Sequence, residues 1–308
     1  MKKIIREQCV LSGQKDFETL YTFKNFPVFM GCTDKPINKD IKSNMEWIYF
    51  EKSGMIQLKQ PLPLEVVYSE FHNSGCIGNI WSQHHKEFAK FISNSEPKNI
   101  LEIGGGHGIL SLNYKSLSNA KWTIIEPNPN PSKGVTADYI KGFFNKEFTS
   151  LIEFDTIVHS HVFEHLYEPK IFIENISRFL KQGQKLIFSI PNMNEMMNRK
   201  HNNFLNFEHT YFLSEEYTDY FLTNNNFRII NKKHFKKDHS IFYEAIKDNS
   251  VKKASISNTY AKNNKTLFLK YINHNIKLVN ELNNIIANEK NPIFLFGAHI
   301  FAQYLISM

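Results

Sequence analysis

Long apolar runs are missing from this chain of 308 residues. No window approaches the eighteen or so consecutive apolar residues of a membrane-spanning helix. The opening, MKKIIREQCV, carries charge but lacks the apolar core of a secretory signal, which makes the cytoplasm the expected compartment. Cysteine is scarce as well. Cys9, Cys32 and Cys76 have no partner at CxxC spacing, which excludes a disulfide framework and a zinc cage of the usual kind; free buried thiols are expected instead. Internal repeats and low-complexity tracts are absent beyond a general richness in Asn and Lys. Glycine is sparse too, with 13 in the chain. Four of those glycines nevertheless crowd into 104–108, directly after an apolar run, in "NILEIGGGHGIL".

What is present is a soluble, core-forming composition. At 42% hydrophobic residues the chain can bury a sizeable core in more than one structural unit. The net charge of +7 suits an acidic partner, whether nucleic acid, an anionic lipid surface or a phosphorylated small molecule. The basic residues are scattered, with clusters at Arg199-Lys200, Lys232-Lys233 and Lys236-Lys237 of the kind that solvated faces carry.

Residues 1–75 hold short aromatic and β-branched runs broken by Gly, Pro and Asp, which predicts a small β-rich lobe. A helix over "IWSQHHKEFAKFISN" follows, with Trp81, Phe88 and Phe91 on or near one face. A central domain over 76–250 then alternates: strand 99–103, helix from Gly108, strand 121–126, a weak strand at 138–141, strand 154–159, helix 168–180 and strand 184–190. This order predicts an α/β fold with a doubly wound, mostly parallel seven-stranded sheet covered on both faces. A helix opened by Ser214 comes next, and two strands separated by "KKD" predict an antiparallel terminal hairpin. Residues 251–308 read as a polar linker to about 264, an amphipathic helix over 265–288, and the start of a further βα unit at "IFLFGAHIFAQYL".

Glycines between a strand and a helix let the backbone approach a ligand and leave amide groups of the helix N-terminus free to bind it. The dinucleotide fingerprint GxGxxG fails here, because Ile109 or Ser111 falls at its third position. The pattern that fits is acidic-x-G-x-G-x-G, through Glu102, Gly104, Gly106 and Gly108. The next strand ends in Glu126, where a carboxylate can accept both hydroxyls of a ribose.

This constellation resembles the class I S-adenosylmethionine-dependent methyltransferases. The segments "FDTIVHSHVFEHL" and "LKQGQKLIFSIPN" and the terminal hairpin fall in that family's order over about 150 residues. The resemblance implies S-adenosylmethionine as cofactor, with its amino-acid end at Gly104 and Ser160. It also implies the ribose on Glu126 and the adenine against Pro127 and an aromatic, Phe143 or Phe144. Either phenylalanine would serve equally well as a core residue.

The flanks, "GMIQLKQPLPLEVVY" before the glycine turn and "NFEHTYFLSEEY" after the fifth strand, are similar to the three-part nucleotide-sugar methyltransferases. The best-known members of that family methylate carbon in deoxysugar biosynthesis. The resemblance implies a nucleotide-linked sugar as partner, in surface polysaccharide or capsular glycan synthesis, and active-site roles for Glu208, His209 and His165. Two departures stand out: the family's CxxC zinc pairs are absent, and Asn206 stands where its tyrosine would be. A DNA-type Asn/Asp-Pro-Pro-aromatic turn is missing after the fourth strand, which leaves charge as the argument for nucleic acid.

Removing a hydroxyl proton as the new carbon–oxygen bond forms suits a histidine near neutral pH. His209 is the first choice for that base, with Glu208 orienting it and His165 as its alternative. C-methylation beside a ketone needs an enolate held by a donor such as the missing tyrosine, so O-methylation is expected. C-methylation of a keto sugar is the alternative, followed by a non-catalytic adenosylmethionine-binding scaffold and an RNA methyltransferase. His159, His161 and His165 have the spacing of a metal site, but histidines are poor magnesium ligands, so no metal is expected. His72, His84 and His85 read as helix-surface or loop residues.

Overall fold

The computed structural model describes residues 4–29, 36–68, 78–202, 204–295 and 300–307. Cys32, His72 and Cys76 lie outside the described residues. The chain opens with strands β1 (Glu18–Pro27), β2 (Lys42–Tyr49) and β3 (Ile56–Leu58) and a single helical turn, α1 (Leu64–Val67). Helix α2 (Asn79–Ser93) leads into β4 (Asn99–Ile103), α3 (Ile109–Tyr114), β5 (Lys121–Glu126), β6 (Asp138–Lys141), β7 (Thr156–Ser160), α4 (Pro169–Phe179) and β8 (Lys185–Pro191). Then come α5 (Met193–Asn198), α6 (Glu215–Asn224), β9 (Phe227–Phe235), β10 (Ser240–Lys247), α7 (Asn258–Asn288) and α8 (Ile300–Ser307). These elements fall into two compact units, one of residues 71–192 and 213–255, the other of 1–70, 193–212 and 256–308.

The first unit is built on a seven-stranded sheet in the order β6-β5-β4-β7-β8-β10-β9. Strands β6, β5, β4, β7 and β8 run parallel, while β10 and β9 are antiparallel, as the sequence predicts. Strand β4 reads as a nearly unbroken apolar run because both sheet faces are covered. On one face Phe88, Phe91 and Ile92 of α2 and Leu110 and Tyr114 of α3 pack on Ile100, Ile124, Val158 and Ile187. Toward the other, Phe163 meets Phe172 of α4 and Phe221 of α6 at ring separations of 6.0 and 5.4 Å. Ser214 caps α6, its hydroxyl accepting from the Tyr217 amide at 3.2 Å. The parallel strands bring Gly104, Glu126 and Ser160 to one carboxyl edge, where open α/β sheets bind ligands.

The second unit carries the antiparallel sheet β1-β2-β3. Residues 210–212 extend it: the Leu58 amide donates to the Thr210 carbonyl at 3.0 Å and the Phe212 amide to the Ile56 carbonyl at 2.8 Å. Tyr304 of α8 stacks on Phe23 of β1 at 5.3 Å. Helix α7 starts at Asn258, seven residues before the predicted 265, because the Ser257 hydroxyl caps it through the Tyr260 amide at 3.2 Å. The stretch predicted as a last strand is not one over 291–295, and its remainder lies outside the described residues. Cys9 is buried, with its sulfur 3.4 Å from the Ser53 hydroxyl. Among the described residues no helix is long and apolar enough to cross a membrane.

Candidate active site

The glycine turn closes β4 onto α3. Gly108 is the residue before the helix and adopts φ +70°, and a Cβ there would lie 2.6 Å from the Tyr139 hydroxyl and 2.7 Å from Val135. Gly105 was missed by the motif, since it occupies an "x". A Cβ on it would sit 2.6 Å from the Glu102 carboxyl carbon and 2.8 Å from Ile124, so the turn cannot accept a side chain there. Above Gly106 the space is open.

Glu102 points down into the fold. Its Oε2 accepts from the Trp122 indole N–H at 2.7 Å, and the side chain is buried. Burial pushes its carboxyl up to about 7, the Trp122 hydrogen bond pulls the other way, and the charge of Glu126 adds to the rise. Because the folded value lies above the ordinary 4.5, folding favours the protonated form. The stabilisation is complete below pH 4.5 and is lost as pH rises through about 7. Over that window wild type should lose about 3 kcal/mol relative to Glu102→Gln, whose amide keeps an acceptor for Trp122. Melting temperatures from pH 4.5 to 8 check this; parallel curves for the two proteins would refute it.

Glu126 stands at the end of β5 opposite the turn. Its Oε2 accepts the Gly106 amide at 3.3 Å and its Oε1 the Asn128 amide at 3.0 Å, so the carboxylate is aimed across the turn by backbone donors. Tyr139, on β6, is a residue that sequence reasoning did not single out. Its hydroxyl is buried and makes no hydrogen bond among the described residues, and burial with the charges of Glu102 and Glu126 pushes it up to about 12. The adjoining aromatics separate clearly: Phe144 is buried against Phe148, Phe172 and Phe179, whereas Phe143 is 64% exposed. Phe144 is thus a core residue, and the ring open to a ligand is Phe143. Pro127 and Ser160 are half-buried at the ends of their strands.

The histidines of the β7 segment part company. His159 is buried among Phe163, Phe172 and Phe188, and burial lowers it to about 3, so it is a neutral core residue. His161 follows the strand directly with φ +51° and turns its ring to Trp81 and His84, at 4.9 and 5.2 Å. Spacing along a strand predicts one face for both, and the left-handed residue breaks that rule. His84 is likewise no surface residue: it is fully buried, bonds the Ser189 hydroxyl at 2.9 Å, and burial holds it far below the ordinary imidazole range. His165 follows on a short helical turn, Phe163–His165. Its Nε2 lies 3.7 Å from Oε1 of Glu164, a carboxylate with no exposure.

Glu208 and His209 lie in the other unit, just before the segment that pairs with β3. Asn206, in the place of the expected tyrosine, is buried and turns the backbone: its Oδ1 accepts the amides of Glu208 and His209, each at 2.8 Å. His209 Nδ1 donates to the Phe204 carbonyl at 2.7 Å, which fixes that tautomer and leaves Nε2 as an acceptor.

A profile described as "Methyltransferase domain" matches residues 79–232, half of the chain. The chain belongs to this family. It is a methyltransferase, and the cofactor this domain implies is S-adenosylmethionine. No curated protein matches it. Among solved structures it is similar to human N-acetylserotonin methyltransferase in complex with SAM, at 16% identity over 55% of this chain and 53% of that one, with a TM-score of 0.46. It is also similar to the N-methyltransferase NodS from Bradyrhizobium japonicum WM9, at 16% identity over 55% and 97% of the two chains, with a TM-score of 0.41. Magnesium protoporphyrin IX methyltransferase from Synechocystis PCC 6803 with bound SAH gives 15% identity over 55% and 85%, with a TM-score of 0.42. The methyltransferase spans about half the length of the human enzyme.

Proposed function

We propose that this methyltransferase moves the methyl group of S-adenosylmethionine onto a hydroxyl of a nucleotide-linked sugar, for a surface glycan. The observation that carries the reading is the pairing, on adjacent strand ends of one sheet edge, of the glycine turn facing Glu126 with an imidazole backed by a buried carboxylate. The residues at the turn fit the cofactor. Space is open above Gly106, Glu126 is a ready acceptor for ribose hydroxyls, and Tyr139 has a hydroxyl in need of a partner. Gly104 and Ser160 would hold the methionine end, and Pro127 with Phe143 the adenine. Bound there, S-adenosylmethionine supplies an electrophilic methyl group.

His165 accepts the hydroxyl proton as the oxygen attacks, and the charge of Glu164 stabilises the imidazolium that forms. Methylation of oxygen rather than carbon is favoured by Asn206, whose side-chain oxygen is spent on two backbone amides and which brings no phenol to an enolate. The sugar class rests on the likeness of the flanking segments and on the net charge of +7, which would meet a diphosphate. His209 offers a second reading of the base, because its Nε2 is left as an acceptor by the Phe204 carbonyl.

Offering a panel of nucleotide sugars with isotope-labelled S-adenosylmethionine tests the reading by mass spectrometry. One labelled methyl on a sugar oxygen is expected. Label on a sugar carbon, or on RNA alone, would replace it.

A further inference from the structure

Beyond Glu164, behind His165, lies a chain of polar groups that the methyl-transfer reading does not use. Oε1 of Glu164 approaches two imidazoles at once: His161 Nδ1 at 3.1 Å and His165 Nε2 at 3.7 Å. On its far side His161 Nε2 meets the Ser240 hydroxyl at 2.9 Å, and that same hydroxyl meets His239 Nδ1 at 2.6 Å. Glu164 and Ser240 are both fully buried. A carboxylate, an imidazole and a serine in this order activate a nucleophile in hydrolases. Ser240 has no exposed surface to attack anything. The array can act only through charge and hydrogen bonding.

We infer that His161 is a positioning residue that competes with His165 for the single carboxylate of Glu164 and so sets the basicity of His165. The inference rests on His165 being the base. Its physical content is the hydroxyl of Ser240, which has one proton to give and two imidazole nitrogens to face. When His161 is neutral, Nδ1–H points to Glu164, Nε2 accepts from Ser240, and Ser240 in turn accepts from His239. When His161 is charged, Nε2–H donates to Ser240, which then donates to His239, and the charge of Glu164 is neutralised by its nearer partner. In the first state that negative charge is left to stabilise protonated His165; in the second it is spent. The titratable groups around His161 are Glu164 and His159 of its own segment, His84 of α2, and His239 of the hairpin, with Asp238 acting on His239 and His85 on both His84 and His239. Burial holds His84, His159 and His239 below the ordinary imidazole range, which keeps them neutral, and Glu164 is the anion that faces His161.

NMR titration of the His165 imidazole in the full chain tests this without turnover. His161→Asn suits the left-handed backbone at 161 and cannot become charged, and Ser240→Ala removes the acceptor that charged His161 needs. Both should raise the His165 midpoint, and Glu164→Gln should lower it, each by about one pH unit. Midpoints that stay where they are in wild type, or that move the same way in all three variants, would overturn the inference, even if melting temperatures fall. The acidic limb of kcat against pH should follow the NMR midpoints. If the midpoints shift as expected and that limb does not, the competition stands and the base is elsewhere, so the two readings fail separately.

Discussion

Replacing His165 with alanine is expected to lower kcat by about 10²- to 10⁴-fold, the usual contribution of a general base, while affinity for S-adenosylmethionine barely changes. His165 is partly exposed on a short turn, so a melting temperature measured beside kcat separates a loss of the base from a loss of packing. The wild-type rate should rise with pH through an apparent pKa of about 6 to 7.5, because the base works only when deprotonated. His209→Ala is the companion measurement. If His165 is the base, His209→Ala leaves kcat within a few-fold of wild type. A loss confined to His209→Ala would transfer the role to the imidazole whose tautomer Phe204 fixes. A flat profile from about pH 5.5 to 8.5, with chemistry rate-limiting, would remove histidine from the role altogether.

Glu126→Ala should weaken binding of S-adenosylmethionine or its demethylated product by about 10- to 100-fold, since each hydrogen bond to a charged group is worth roughly 1.5–3 kcal/mol. The loss has two sources. A ribose acceptor disappears, and so does the carboxylate that ties the Gly106 and Asn128 amides together across the turn. Calorimetry on the folded variant reads the change. Unaltered affinity would show that Glu126 only shapes the loop, and tight NAD binding with no response to adenosylhomocysteine would overturn the cofactor assignment.

Much of this molecule was legible in the amino-acid order. Periodicity located the parallel strands, and β4 and β5 have the predicted bounds, because a strand buried on both faces must be written in consecutive apolar residues. The turn at 104–108 was legible because only glycine tolerates those torsions and that crowding. Capping signals fixed the start of α6. Ser257 carries the same signal, but the Asn and Lys residues that follow it have the composition of a linker.

What the order of residues left open was settled by contacts between segments far apart in the chain. A hairpin motif does not say which of its strands joins the sheet, and it is β10, the later one, that pairs with β8. Phe143 and Phe144 are indistinguishable as letters, and the rings of Phe148, Phe172 and Phe179 decide that Phe144 is core. The path of residues 193–212, which fold with the β1-β2-β3 sheet, has no local signature, because it depends on hydrogen bonds to β3 some 150 residues earlier. The histidines show the limit most clearly. Residue type marks an imidazole as able to carry a proton, but burial makes His84 and His159 neutral core groups, while one left-handed residue turns His161 toward Ser240. Desolvation and the approach of a shared carboxylate are properties of three-dimensional surroundings, and they alone distinguish one histidine from another.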